Sequence, residues 1–309
     1  MKRRYVVLLV AGLVLAAPAG ASAHGRAATV ALDYRLVLDA ATRALPGVSV
    51  SILDGDRSLK LDVERGVVVV SGDLREPMLR ISTAGAWANR ASVTAVAEKI
   101  VTPGEGWTQV ARGSSFTWHE HRLAPPPYDG GKAGPVARFR IAATVDGRHV
   151  AIGGTFVRYA RPSVWPWLAV GGVLVIALVA ALHARPGSRG TLIPIIGSLA
   201  GLAGLAALAV FGAADAPNGR VAWAQLVLAG VIAAIVYGAL VRLHGLRRVQ
   251  LAGFIGLSAA LVSLSYASVF WHGVVISVLS ATASRGLLVA GLATGAVAAV
   301  SSLRFEGAP

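Results

Sequence analysis

Imidazole is the donor this chain can best offer a transition metal: it has seven histidines, two methionines and no cysteine. Two of the seven stand one residue apart in Trp118-His119-Glu120-His121-Arg122-Leu123-Ala124-Pro125-Pro126-Pro127. On an extended strand, residues i and i+2 share a face. His119 and His121 are therefore expected to project together, with Trp118, Glu120 and Arg122 on the other side, and two imidazoles so placed can share one ion. Proline has no N–H for a central ladder, so the pair should lie near a strand end, where a site is open. The bland reading of the same residues is a polar strand end beside Glu120 and Arg122.

A third histidine strengthens the metal reading. The chain opens MKRRYVVLLVAGLVLAAPAGASAHG. Lys2, Arg3 and Arg4 form a positive n-region, Tyr5 to Ala16 a short apolar core, and Ala21-Ser22-Ala23 a small-residue cleavage box, which is the pattern of a secretory signal peptide. Cleavage after Ala23 makes His24 the mature N-terminus. Its α-amine and ring nitrogen can then chelate one ion, and the amine deprotonates readily because its reference pKa is near 8. With His119 and His121 added, the nitrogen set suits Cu(II). The copper ion is the cofactor expected from these residues.

Weaker candidates complete the list. Asp146 and His149, in Asp146-Gly147-Arg148-His149, flank a hairpin signal read first as a type I′-like turn and second as a ligand pair. His272, beside Trp271, is expected at the outer surface, where it can face the β-domain. Met78 reads as core filler. For enzymes the search is thin: no G-x-S-x-G, phosphate-binding loop, H-E-x-x-H or cysteine nucleophile is present. Glu76, Glu98, Glu105 and Glu120 form no recognisable acid–base pair. Trp87, Trp107 and Trp118 read as strand-core aromatics. The expectation is a non-enzyme.

Two halves of different chemistry must position these groups. Before about residue 163, short alternating runs (Val48–Leu53, Ser58–Val63, Val67–Val70, Pro77–Thr83, Phe139–Val145, His149–Val157) are punctuated by turn residues. Such a pattern predicts an all-β, immunoglobulin-like antiparallel sandwich over 24–163. From 164 to 309, apolar runs near 165–184, 191–212, 221–241, 249–269 and 286–303 predict an all-α transmembrane bundle of about five helices. The apolar stretch 271–285 is too short to span and is left as re-entrant or interfacial.

The net charge of +14 suggests nucleic acid until divided by region. The signal carries +3, residues 24–163 carry +5 and the helical half +6, the last in short loops. Arg185, Arg189, Arg242, Arg247, Arg248 and Arg304 fall on one side and Arg220 and Arg285 on the other. The arginine-rich side is the cytoplasmic one, so the β-domain is extracytoplasmic, the C-terminus cytoplasmic and the partner the lipid bilayer, not nucleic acid. Trp165 and Trp167 serve as an outer aromatic anchor. No ionisable residue falls clearly mid-span, which disfavours a charged ion path. Gly197-x-x-x-Gly201 and Gly291-x-x-x-Gly295 suit close helix packing.

The segments AHG, EPMLRISTAGAWANRAS, GWTQVARGSSFTWHEHRLAPPP and GTFVRYARPSVWPW together resemble a group of actinobacterial, signal-peptide-bearing, membrane-anchored exported proteins with a W-H-[DE]-x-R box. The resemblance marks His24, Glu76, Pro77, Trp87, Asn89, Trp107, Trp118, His119, His121 and Arg122, while Met78 stands where an aromatic is more usual. A more distant similarity is to CopC-like copper-binding proteins, whose mature histidine and D-G-H hairpin are approached here with one extra residue. The resemblance implies an extracytoplasmic β-domain concerned with copper and implies no reaction. Copper handling, with other envelope or copper-handling proteins as partners, is thus the leading expectation. The alternatives are an envelope interaction module anchored by helices and a metal permease with a receptor domain.

Overall fold

The computed structural model describes residues 31–53, 57–128, 130–214 and 222–305. Strands come first, in the order β1 (Ala31–Leu32), β2 (Tyr34–Leu38), β3 (Val48–Leu53), β4 (Ser58–Val63), β5 (Val67–Ser71), β6 (Pro77–Ser82), β7 (Gly85–Asn89), β8 (Trp107–Arg112), β9 (Ser115–His119), β10 (Gly134–Val145) and β11 (Arg148–Arg158). Two short helices interrupt them, α1 (Ala40–Arg43) after β2 and α2 (Val93–Ala97) after β7. Each is opened by a side-chain cap, Asp39 and Ser92 respectively.

Strands β2 to β11 form two antiparallel sheets, of order β2-β11-β10-β5-β6-β7-β8 and β3-β4-β9. Period-two burial explains their packing. Leu59, Leu61 and Val63 of β4 point one way and are wholly buried, as are Val70, Leu79 and Ile81 across the larger sheet. Those inward faces, with Trp118 and Ile141, share one core, so the β-half is the sandwich that the alternation predicts. Met78 is fully buried in that core. The β10–β11 hairpin turns on two residues, Asp146 and Gly147, with Val145 opposite Arg148. Both have positive φ, 50° and 78°, the backbone of a type I′ turn.

Five helices long and apolar enough to cross a membrane follow: α3 (Trp165–Ala184), α4 (Arg189–Ala214), α5 (Trp223–Arg242), α6 (Gly245–Ser265) and α7 (Ala281–Leu303). The protein is a multi-pass membrane protein. Helices α4, α6 and α7 form the centre, where Ala252, Ala259 and Ala298 are buried. A Cβ on Gly256 would lie 2.9 Å from the carbonyl oxygen of Gly295, so small residues set how closely these backbones approach. By contrast α3 and α5 expose Val173, Ile176, Val227 and Ile235, as lipid-facing helices do.

The stretch after α6 is not a re-entrant helix. A short 3₁₀ turn (Ala267–Phe270) leads to β12 (Val274–Val275), which pairs antiparallel with β1 as Ala31↔Val275 and Leu32↔Val274. Ser280 then caps α7. The last span begins five residues earlier than the apolar run suggests, and Arg285 belongs to its first turns. That side chain is buried and donates to the carbonyls of Val269 (2.9 Å) and His272 (3.0 Å). Loop and sandwich are thereby joined by backbone pairing.

An ion cluster reinforces the joint. The Asp33 carboxylate, only 8% exposed, accepts from Arg161 Nε (3.1 Å) and Nη2 (2.7 Å) and lies 3.0 Å from His272 Nδ1. That last approach is an ion-pair distance; Nδ1 lacks an aligned hydrogen bond. Burial by itself would raise the Asp33 pKa, but the Arg161 hydrogen bonds and the nearby His272 hold it below the ordinary aspartate value. Replacing Asp33 with asparagine should loosen the joint, because the charge-assisted bonds from Arg161 are lost. Hydrogen exchange is the check: amides of Ala31–Leu32 and Val274–Val275 should exchange faster in the variant, and unchanged protection would contradict the assigned role.

Candidate functional site

The histidine box begins where β9 ends. Burial alternates through it, with Trp118 and Glu120 inside and His119 and His121 exposed. The strand stops at His119, however, and residues His121–Leu123 wind into a 3₁₀ turn whose N-cap is Glu120. The turn carries the second imidazole away from strand geometry and towards α2.

Glu120 is the anchor of this turn. Its side chain is fully buried, and all four of its hydrogen-bond partners are local. Trp118 Nε1 donates to Oε2 (3.0 Å), Arg122 Nε to Oε1 (2.7 Å), Arg122 Nη2 to Oε2 (2.7 Å) and the Arg122 amide to Oε1 (3.2 Å). Burial alone would raise the Glu120 pKa, and the Arg122 hydrogen bonds and charge overcome it, so the carboxylate stays below the ordinary glutamate value. The pair also holds the Arg122 guanidinium above its ordinary value despite burial. The remaining Arg122 amine, Nη1, donates to the Ser71 carbonyl at 3.0 Å and ties the box to β5. Arg122 therefore folds back onto Glu120.

His121 is held between two carboxylates. Its Nδ1 meets Glu98 Oε1 in a short contact, and its Nε2 lies 2.9 Å from Asp73 Oδ2. The His121 amide also donates to Glu98 Oε1 at 3.1 Å. Glu98 is the C-cap of α2, and Asp73 sits in the β5–β6 turn with its amide donating to Thr94 Oγ1 at 2.8 Å. Glu76 fastens the same corner, accepting from Ser92 Oγ (2.7 Å), the Thr94 amide (3.2 Å) and the Leu74 amide (3.0 Å). Burial works against its ionisation, but the Ser92 and Thr94 bonds leave its pKa lowered.

Glu98, Glu120 and His121 offer ligand atoms that all lie within 4.8 Å of one another. Since Arg122 and Trp118 occupy the Glu120 oxygens, the open pair is His121 Nδ1 and Glu98. Asp73 on Nε2 completes a recurrent metal-site arrangement, in which a carboxylate takes the far ring N–H of a ligating histidine and fixes its tautomer.

The expected ligands fare differently. His121 is in the cluster. His119 is exposed and joins no such group among the described residues, because the strand ends at it. His24 lies outside the described residues, as does the signal segment. Asp146 is the turn residue: its Oδ1 accepts from the Val67 amide at 2.8 Å. His149 pairs with Thr144 across the hairpin and belongs to no group of three or more metal-ligating residues among the described residues. His272 faces the β-domain as expected, at Asp33. Glu98 and Asp73 were not among the expected ligands; no spacing signals them, since the fold alone brings them to His121. No family model, curated protein or solved structure matches this chain.

Proposed function

We propose that this chain is a non-enzymatic, membrane-anchored metal-binding protein of the extracytoplasmic face, taking Cu(II) for copper handling. The observation that carries the reading is the meeting of His121, Glu98 and Glu120 ligand atoms within 4.8 Å. The ion would enter between His121 Nδ1 and Glu98, while Asp73 holds the ring from Nε2. With no thiol in the chain, a mixed nitrogen and oxygen set favours copper over its divalent neighbours. His24, as a mature terminus, would add its amine and ring. The arginine-rich loops favour an orientation with the β-domain outside and the C-terminus in the cytoplasm.

The test is Cu(II) titration of the full chain in lipid nanodiscs, read by electron paramagnetic resonance. One ion should bind with nitrogen coupling, His121→Ala should weaken uptake at least tenfold, and an added residue ahead of His24 should weaken it too. Acidification should release the ion, because protons compete for the same donors. Uptake unchanged by His121→Ala would sink this site. A chain that takes no copper at micromolar concentration is instead an envelope interaction module, a reading favoured by the Trp118–Glu120–Arg122 network, which satisfies itself without an ion.

A further inference from the structure

Trp87 and Trp107 are not core residues. Ala86 and Ala88 on either side of Trp87 are wholly buried, so Trp87 takes the outer face of the large sheet, and Asn89 places its partner Trp107 on that face too. Arg80 is opposite Trp87 and lies between Leu79 and Ile81, both fully buried, which sends it outward as well. Its guanidinium carbon sits 5.2 Å from the Trp87 ring centre and 5.3 Å from that of Trp107. Register continues the row: Thr144, Val69, Arg80, Trp87 and Gln109 are successive partners across β10, β5, β6, β7 and β8.

Trp107 is 38% exposed, and Arg80 is exposed. Among the described residues no carboxylate pairs with Arg80 and no hydrogen bond engages it. A planar cation is thus held by two indoles while its N–H donors remain available. Arg presents those donors in a fork that matches a carboxylate. Trp107 offers exposed indole surface and Gln109 an amide on the same β-supported face.

We infer that this Trp87–Arg80–Trp107 platform binds an acidic glycan, the C–H face of a sugar ring lying on an indole and its carboxylate on Arg80. A sugar ring is apolar on its faces and polar at its rim, which is the pattern of this surface. The inference does not depend on the metal site, which lies at the box on β9.

The experiment is calorimetric titration of the full chain in nanodiscs, free of sugar detergents, with oligogalacturonate. Neutral cello-oligosaccharide and an oligo-aspartate of equal charge serve as comparisons. Oligogalacturonate should bind, Trp107→Ala should weaken binding at least tenfold, and Trp107→Phe should restore part of it. Arg80→Gln should remove the preference for the acidic over the neutral sugar. The inference is overturned by absence of binding at millimolar oligogalacturonate, by equal binding of oligo-aspartate, or by a Trp107→Ala variant that binds like the parent. Both positions are on the solvent face, so an unchanged β-sheet circular dichroism spectrum separates lost binding from lost folding.

Discussion

Glu120→Ala should destabilise the β-domain by about 3 kcal/mol, the lower end of what removing one partner of a buried ion pair costs. The lower end applies because Arg122 keeps its bond to the Ser71 carbonyl and an approach to Asp73 at 3.7 Å. Trp118 Nε1, buried with its ring, loses its acceptor in the same substitution. Glu120→Gln should cost less, since an amide preserves shape and one acceptor. Replacing Glu120 and Arg122 together with leucine and methionine should recover much of the loss, because two apolar groups leave no charge unpaired. Chemical denaturation of the full chain in nanodiscs, followed by tryptophan fluorescence, supplies the values. A double variant as unstable as Glu120→Ala would show that the pair contributes something other than mutual neutralisation.

The same carboxylate sets a pH dependence. Its folded pKa is lowered, so its stabilisation is present above the unfolded glutamate value of about 4.3 and is lost as the pH falls through the folded value. Glu76 and Asp33 are shifted in the same direction. Acid should therefore weaken the corner around α2, the box and the joint to the helices together. In Glu120→Gln the box contribution to this dependence should vanish, leaving a flatter stability curve below that pH.

Gly295→Leu should break the helical centre apart. A Cβ there would run into the Gly256 carbonyl oxygen and would lie 3.1 Å from the Ala260 amide nitrogen and Cβ. Those atoms are backbone and short side chain, which cannot turn aside. The helices must separate, at or above the upper end of the roughly 1–3 kcal/mol typical of overpacking. Gly230→Leu on α5 is the matched control. Nothing lies within 4 Å of a Cβ at that position, and replacing an exposed helical glycine removes its propensity penalty of about 1 kcal/mol. Thermal stability by size-exclusion chromatography should drop for the first and hold or rise for the second. Equal melting of the two variants would refute close packing at Gly295.

Periodicity carried most of the architecture. Runs that alternate, Val48–Leu53 and Ser58–Val63, are strands with those very bounds, because one face of a sheet must be apolar to be buried. Twenty-residue apolar runs became helices for a parallel reason: in hydrocarbon the backbone must satisfy itself. Strands β7 and β8 were less legible. Their glycine and tryptophan content obscures the alternation, so the pattern alone suggests a core place for Trp87 and Trp107, which lie on the outer face of the sheet. The stretch 271–285 was equally opaque, since its pairing partner β1 is more than two hundred residues away in the chain.

For the site, composition settled which chemistry was open. Without cysteine, a metal had to use imidazole, carboxylate, thioether or the terminal amine, and the box supplied His121. Spacing could not show that the strand would end at His119, because that depends on Glu120 being drawn inward to Trp118 and Arg122. Nor could it find Glu98 and Asp73, which reach His121 only when α2 and the β5–β6 turn pack beside the box. The sequence by itself determined two halves, one alternating and one continuously apolar, because periodicity is local and survives in any fold that buries it. Which histidine meets a carboxylate was decided by tertiary structure alone, because an ion cluster is a property of distances between segments that the chain's order does not contain.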